Sequence, residues 1–142
     1  MTLTKNTIRV VVADDQTVIR EALAMMLDLE DDIDVVAAAE NGEVAVERVV
    51  ALHPHVLLTD LRMPVIDGLT LLKYLREDHP CTMRVVLSGA PERSSALAVA
   101  TYAPQSLTKP CRVDELEAVL APAGFLGDRV AAPLACYPGH PP

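Results

Sequence analysis

Tryptophan is absent from this 142-residue chain, and three tyrosines and one phenylalanine are its whole aromatic content. A site that works by stacking a planar cofactor such as a flavin is poorly served by so few rings. Basic residues are also scarce: 12 Lys and Arg stand against 20 Asp and Glu, a formal net charge of -8. That balance opposes any role resting on broad neutralisation of a phosphate backbone, so direct nucleic-acid binding is not expected. Long apolar runs are missing too. The longest, Ala22 to Leu27, has six residues, far short of the roughly 20 residues of a membrane-spanning helix, and no charged-then-apolar leader opens the chain. Cysteine occurs only at 81, 111 and 136. Cys81, Cys111 and Cys136 are spaced too widely for a zinc or redox motif, and reduced thiols in a cytoplasmic protein are the expectation.

What is present is aliphatic. Hydrophobic residues make up 51% of the chain, almost all Ala, Val and Leu, which excludes disorder for most of its length. The length suits one domain with one core. Short Val-rich runs at Ile8 to Ala13, Ile33 to Ala39, His55 to Thr59 and Met83 to Leu87, with a weaker one at Gln105 to Thr108, predict five strands. Between them lie helical stripes: Val18, Ile19, Ala22, Leu23, Met26 and Leu27; Ala45, Val46, Val49 and Val50; Leu69, Leu72 and Leu75. Glu92 to Ala100 after Pro91 predicts a fourth helix, and Val113, Leu116, Val119 and Leu120 a fifth. Five alternations of strand and helix predict an α/β domain with a parallel sheet covered on both faces. Residues 1–121 form this domain in our reading. Residues 122–142, rich in Pro, Ala and Gly, form a tail with no core of its own. The acidic cluster Glu30, Asp31, Asp32 and Asp34 reads as a solvated turn between helix and strand.

Polar residues stand directly after the strands: Asp14 and Asp15 after the first, Asp60 after the third, Ser88 after the fourth, Lys109 after the fifth. In an open parallel sheet these positions share one edge, where ligands bind. Each has an ordinary explanation alone, since an Asp after a strand often caps the next helix. Together they place three carboxylates close enough to repel, a repulsion that a hard divalent cation, Mg2+ foremost, relieves. A cation at Asp15 and Asp60, the Lys109 ammonium and the Ser88 hydroxyl fit phosphoryl transfer, with Asp60 as nucleophile and an acyl phosphate as product.

These segments resemble the receiver domains of two-component response regulators. The matching stretches are VVADDQ, LLTDLRMPVIDG around Asp60, VVLSG at Ser88 and LTKP at Lys109, in order and at near-standard spacing from about Ile8 to Leu120. AENGEVAVE and DLRMP particularly resemble receivers that precede a helix-turn-helix output domain. The resemblance implies a flavodoxin-like (βα)5 fold of strand order 2-1-3-4-5. It also implies that Asp60 takes a phosphoryl group from the phosphohistidine of a sensor histidine kinase. Asp15, Asp60 and the Arg62 backbone carbonyl would hold Mg2+, with Asp14 acting through water. Lys109, whose bond to Pro110 is often cis in such domains, would contact the phosphoryl group. Asp67 and Gly68 form the turn that opens the third helix. The fourth helix, fifth strand and fifth helix would be the pairing face of a homodimer.

Two departures from the family pattern matter. Ser106 stands where receivers usually carry a switching Tyr or Phe, and the interval from Ser88 to Lys109 is one residue short. Tyr102 either fills a gap left by small neighbours or serves as a displaced switch, packing being the simpler reading. The chain also ends in a Pro-rich tail where a DNA-binding half would follow. The expectation is a stand-alone, stoichiometric phosphoacceptor, with two alternatives: a receiver that binds partners without phosphorylation, and the receiver part of a transcriptional regulator. An aspartyl-phosphate phosphatase is disfavoured because Arg62 occupies the place of its second acid. Arg62 and Ala90, bordering the path of an attacking water, are expected to set the lifetime of the phosphoryl group.

Overall fold

Alternating valines give the first strand two apolar faces, and the layers follow from that. The computed structural model describes residues 7–61, 63, 66–79, 81–88, 105–108, 112 and 114–120. Its elements are β1 (Ile8–Ala13), α1 (Thr17–Asp28), β2 (Ile33–Ala39), α2 (Gly42–Leu52), β3 (Val56–Thr59), α3 (Gly68–Asp78), β4 (Met83–Ser88) and β5 (Gln105–Thr108). A further helix covers 114–120. The strands form one sheet in the order β2-β1-β3-β4-β5, every neighbouring pair parallel. The expected fold and strand order are therefore observed. The expected helix at Glu92 to Ala100, together with Tyr102, Arg62, Lys109 and the tail, lies outside the described residues.

Period-two alternation divides the core. Ile8, Val10 and Val12 join Leu23 and Leu27 of α1, Val56, Leu58 and the buried Leu116 and Leu120 on one face. Val11 and Ala13 point the other way, onto Ala45 and Val49 of α2 and Leu71 and Leu75 of α3. Buried Val and Leu side chains of this kind each contribute about 1.5–3 kcal/mol relative to exposure. In α1 the buried stripe is narrower than the sequence predicts. Leu23 and Leu27 are enclosed with Ile19 and Met26 against them, whereas Val18 is 80% exposed and Ala22 also faces solvent. One residue along a helix is a turn of about 100°, so Val18 and Ala22 fall beside the core-facing stripe rather than on it.

Side chains fix the starts of α2 and α3. Asn41 accepts a hydrogen bond from the Val44 N–H at 2.9 Å, and Asp67 accepts one from the Thr70 N–H at 2.8 Å. The Thr70 bonds hold the Asp67 carboxyl below its usual range. α2 ends at His53 in the left-handed conformation, φ 47°. There the Arg9 guanidinium donates to the carbonyls of Leu52 and His53, both at 2.6 Å. Arg9 also donates its own N–H to His55 Nδ1 at 2.9 Å, a contact that needs neutral imidazole at that nitrogen. Burial first, and the Arg9 charge second, lower the His55 pKa from 6.5.

Gly68 has no room for a side chain. A Cβ there would lie 2.4 Å from the Asp60 carbonyl oxygen and 2.6 Å from Leu61 Cα, while the Gly68 N–H donates to the Leu61 carbonyl at 2.9 Å. Gly68→Ala is expected to destabilise the fold by about 1–3 kcal/mol through forced backbone displacement, measurable as a lowered midpoint in urea. His55 predicts a pH effect of definite sign. Its depressed folded pKa means that its contribution is full above pH 6.5 and is lost as pH falls through the folded value. In His55→Asn, whose side-chain oxygen can still accept from Arg9, thermal midpoints should fall less between pH 6.5 and about 5, before most carboxylates protonate; parallel curves for the two proteins would contradict this.

Candidate functional site

The β1–β3 register aligns Ala13 with Thr59, so the residues that follow, Asp14 and Asp60, leave the sheet side by side. The Asp60 N–H donates to the Ala13 carbonyl at 2.9 Å, and the Asp14 N–H to the Ala39 carbonyl at 3.0 Å. Asp14, Asp15 and Asp60 each offer a carboxylate oxygen, and these oxygens lie within 4.8 Å of one another. Asp14 is 1% exposed and Asp60 9%, while Asp15 is open to solvent. Among the described residues this is the one group of three or more His, Cys, Asp or Glu side chains arranged to hold a metal. The solvated turn at Glu30 forms no such cluster. There Glu30 shares a hydrogen bond with Glu117, and that bond, ahead of minor burial and the repulsion of Glu117, Asp32 and Asp31, pushes its pKa up.

Local bonds orient the cluster. Asp14 Oδ1 accepts from the Gln16 N–H at 2.9 Å, turning the chain into α1 in the manner of an Asx turn. The Asp14 carboxylate thus both turns the chain ahead of α1 and offers an oxygen to the cluster. Arg20 reaches back along α1 to donate to the Asp14 carbonyl at 2.8 Å. Below Asp60, the buried Thr59 hydroxyl donates to the Asp60 carbonyl at 2.9 Å and to Met63 Sδ at 3.9 Å. Thr59 and Met63 were not singled out by sequence reasoning, and their signal was only their adjacency to Asp60. Asp60 caps no helix; Asp67 performs that task for α3.

Ser88 ends β4 and pairs with Thr108 at the end of β5, so the position before Lys109 reaches the same edge as Asp14 and Asp60. Arg62 and Lys109 themselves lie outside the described residues. The donor set fits a hard divalent cation: three anionic oxygens, no sulfur or imidazole, one carboxylate facing water for exchange. Beside the cluster, α1 carries Val18, Met25 and Leu29, at 80%, 70% and 81% exposure, in line with Ala22. Their spacing of four, three and four residues makes a second, unburied apolar stripe.

A family model described as response regulator receiver domain matches residues 10–121. A protein-glutamate methylesterase/protein-glutamine glutaminase of Caldanaerobacter subterraneus subsp. tengcongensis is 40% identical over 88 residues, covering 62% of this chain and 24% of that protein. The transcriptional regulatory protein LnrK of Bacillus subtilis is 37% identical over 81 residues, covering 57% of this chain and 37% of LnrK. The chain thus matches only about a quarter to a third of the length of such relatives. Among solved structures, the REC domain of AraT, a response regulator from Geobacillus stearothermophilus, superposes with a TM-score of 0.76 at 36% identity, covering 85% of this chain and 95% of that one.

If the three carboxylates form one cation site, removing a single anionic oxygen donor weakens it sharply. Asp15→Asn, at the exposed position, is expected to lower the affinity for Mg2+ by at least about tenfold, the low end of what even outer-shell partners cost. Isothermal titration of both proteins with MgCl2 checks this, and equal affinities would remove Asp15 from the site.

Proposed function

We propose, from the premise that this chain belongs to the response regulator receiver domain family, that it is a phosphorylation-controlled switch with Asp60 as phosphoacceptor. One observation carries the reading: Asp60 sits at the sheet edge with Asp14 and Asp15, their ligand oxygens within 4.8 Å. Asp15, Asp60 and the Arg62 backbone carbonyl would hold Mg2+, with Asp14 acting through water. When bound, the ion neutralises charge on the phosphoryl oxygens.

The chain's own residues do the rest. An Asp60 carboxylate oxygen attacks the phosphorus of a phosphohistidine on a sensor histidine kinase. The new P–O bond forms as the P–N bond breaks, and the imidazole leaves with its electron pair. Lys109 contacts the transferred group, and the Ser88 hydroxyl donates to one of its oxygens. The partial burial of Asp60, at 9% exposure, supports the reading, because it limits access of water to the acyl phosphate. The exposed apolar stripe of α1 begins three residues after Asp15 and supplies area for a helical donor protein to seat its histidine over the site.

On this reading the protein acts stoichiometrically rather than as an enzyme. The methylesterase relative shares only 24% of its length with the chain, which does not carry that activity across. Residues 1–121 are the receiver unit and 122–142 a tail, and β5 with the helix over 114–120 contributes to a homodimer face. The described residues contain no helix long and apolar enough to cross a membrane. Incubation with acetyl phosphate and Mg2+ should add about 80 Da, one phosphoryl group, to the intact mass. The gain should vanish in Asp60→Asn and on addition of EDTA. An equal gain in Asp60→Asn would defeat the assignment of the acceptor, and no gain in either protein would favour a receiver that binds without phosphorylation.

A further inference from the structure

α2 and α3 cover the same face of the sheet, where Val49 and Leu75 share one cluster. Both are crossovers between parallel strands, so both run back along the sheet and end at the edge where strands begin. Each ends on a histidine. The His53 N–H donates to the Val49 carbonyl at 2.9 Å and the His79 N–H to the Leu75 carbonyl at 2.8 Å, so two buried residues of one cluster fix the backbone of both. Their rings are neighbours, with centroids 6.4 Å apart and planes tilted by 50°, and Tyr74 stands behind His79 at 5.7 Å. His53 is exposed and His79 half-buried.

His53 is the one non-glycine residue with positive φ among the described residues. Glycine or Asn usually takes such a position after a helix, so imidazole stands where the backbone favours a residue without a ring. The other groups at this edge are committed elsewhere. His55 Nδ1 accepts from the Arg9 N–H at 2.9 Å, which removes that lone pair from metal binding and puts the proton of the neutral ring on Nε2. Cys81, two residues after His79, is disulfide-bonded. The expectation of reduced thiols fails there, and its sulfur is withdrawn from metal ligation, which takes the thiolate. The rings of His53 and His79 are engaged by ring contacts instead. Among the described residues no buried side-chain nitrogen lacks a partner, so the nitrogens of these two rings are open to water.

We infer that His53 and His79 form a two-histidine site for a divalent transition-metal ion of the Ni2+ and Zn2+ class, held between the ends of α2 and α3 and completed by water. With metal–nitrogen bonds of about 2.0–2.1 Å, two imidazoles on one ion have ring centroids roughly 5 Å apart at a tetrahedral angle and roughly 6.5 Å apart when opposed. The 6.4 Å between these rings lies inside that span, and the broad χ2 of histidine lets the nitrogens turn inward. Arg9 already donates to the last carbonyls of α2 and offsets the negative end of that helix. Lone pairs rather than the helix field therefore attract the ion, which selects imidazole-seeking metals over Mg2+ and Ca2+, the ions that take oxygen ligands. The pair and the cluster of Asp14, Asp15 and Asp60 thus sort cations by chemistry at opposite edges of the sheet. An ion bound to both histidines joins the two helix ends and stabilises the native state by mass action. The site shares no residue with the phosphoacceptor reading and does not rest on it.

The test uses the full chain with free thiols blocked by N-ethylmaleimide and excess MgCl2 present to fill the acidic cluster, titrated calorimetrically with NiCl2. The wild type should bind one Ni2+, and its thermal midpoint should rise with added NiCl2. His53→Asn keeps a residue that tolerates the left-handed conformation. It and His79→Gln should each lower the affinity by at least about tenfold and remove the rise in midpoint, whereas His140→Gln should match the wild type. No binding by the wild type, wild-type affinity in either His53→Asn or His79→Gln, or a loss caused by His140→Gln would overturn the inference. A second readout needs no variant. In nuclear magnetic resonance spectra of the wild type, paramagnetic Ni2+ should broaden the imidazole signals of His53 and His79 ahead of that of His140, and the reverse order would overturn the site.

Discussion

The hydrogen-bonded register between β1 and β3 is the constraint on which the site depends. Ala13 lies opposite Thr59, and the Asp60 N–H closes onto the Ala13 carbonyl at 2.9 Å. A slip of one residue would send every side chain of β3 to the other face, burying the wrong set and separating Asp60 from Asp14. The site is therefore secured by the same burial that secures the core. Val10 and Val12 pack into one cluster and Val11 and Ala13 into the other, so each face of β1 has its own set of neighbours. Acid can then be concentrated at the end of the strands because its position is fixed by contacts in which it takes no part.

Packing around Asp60 extends that constraint to the backbone. α3 begins directly against the Asp60 carbonyl because Gly68 allows it, and α2 begins against the Ile66 carbonyl because Gly42 allows it. The Thr59 hydroxyl closes the remaining polar contact at the Asp60 carbonyl. Among the described residues no buried side-chain nitrogen or oxygen is left without a hydrogen-bond partner. The burial of Asp14 and Asp60 at one edge is thus supported by full hydrogen-bond satisfaction, with Asp15 open to solvent beside them.

The parallel sheet was legible in the sequence because its strands are buried on both faces and read as short Val-rich runs, and the helices between them have clear apolar periods. Strand ends moved by one residue, β3 starting at Val56 and β4 reaching Ser88. The acidic trio was legible because each member directly follows a strand. Two features were not. In α1 the apolar residues span more of the helix than the core can cover, and periodicity alone does not tell the buried Leu23 from the exposed Val18. Cys81 was read as a free thiol because spacing along the chain carries no information on a partner brought close by topology. Receiver resemblance supplied what the residues alone left open, the strand order and the roles of Arg62 and Lys109, the latter two outside the described residues.

The two edges of the sheet have opposite characters, and strand length keeps them apart. Where the strands end, the carboxylates of Asp14, Asp15 and Asp60 gather, and Asp15 is open to solvent. Where they begin, the chain is tied down: Arg9 holds the last carbonyls of α2, Thr82 holds Pro54, and Cys81 is covalently bonded. Between the two edges run β3 and β4, whose side chains at Leu57, Leu58, Val85 and Val86 are almost wholly enclosed. α1 is a different case, since it meets the acidic edge at its start and leaves Val18, Met25 and Leu29 uncovered. A partner resting on that stripe touches the site directly and needs no transmission through the core.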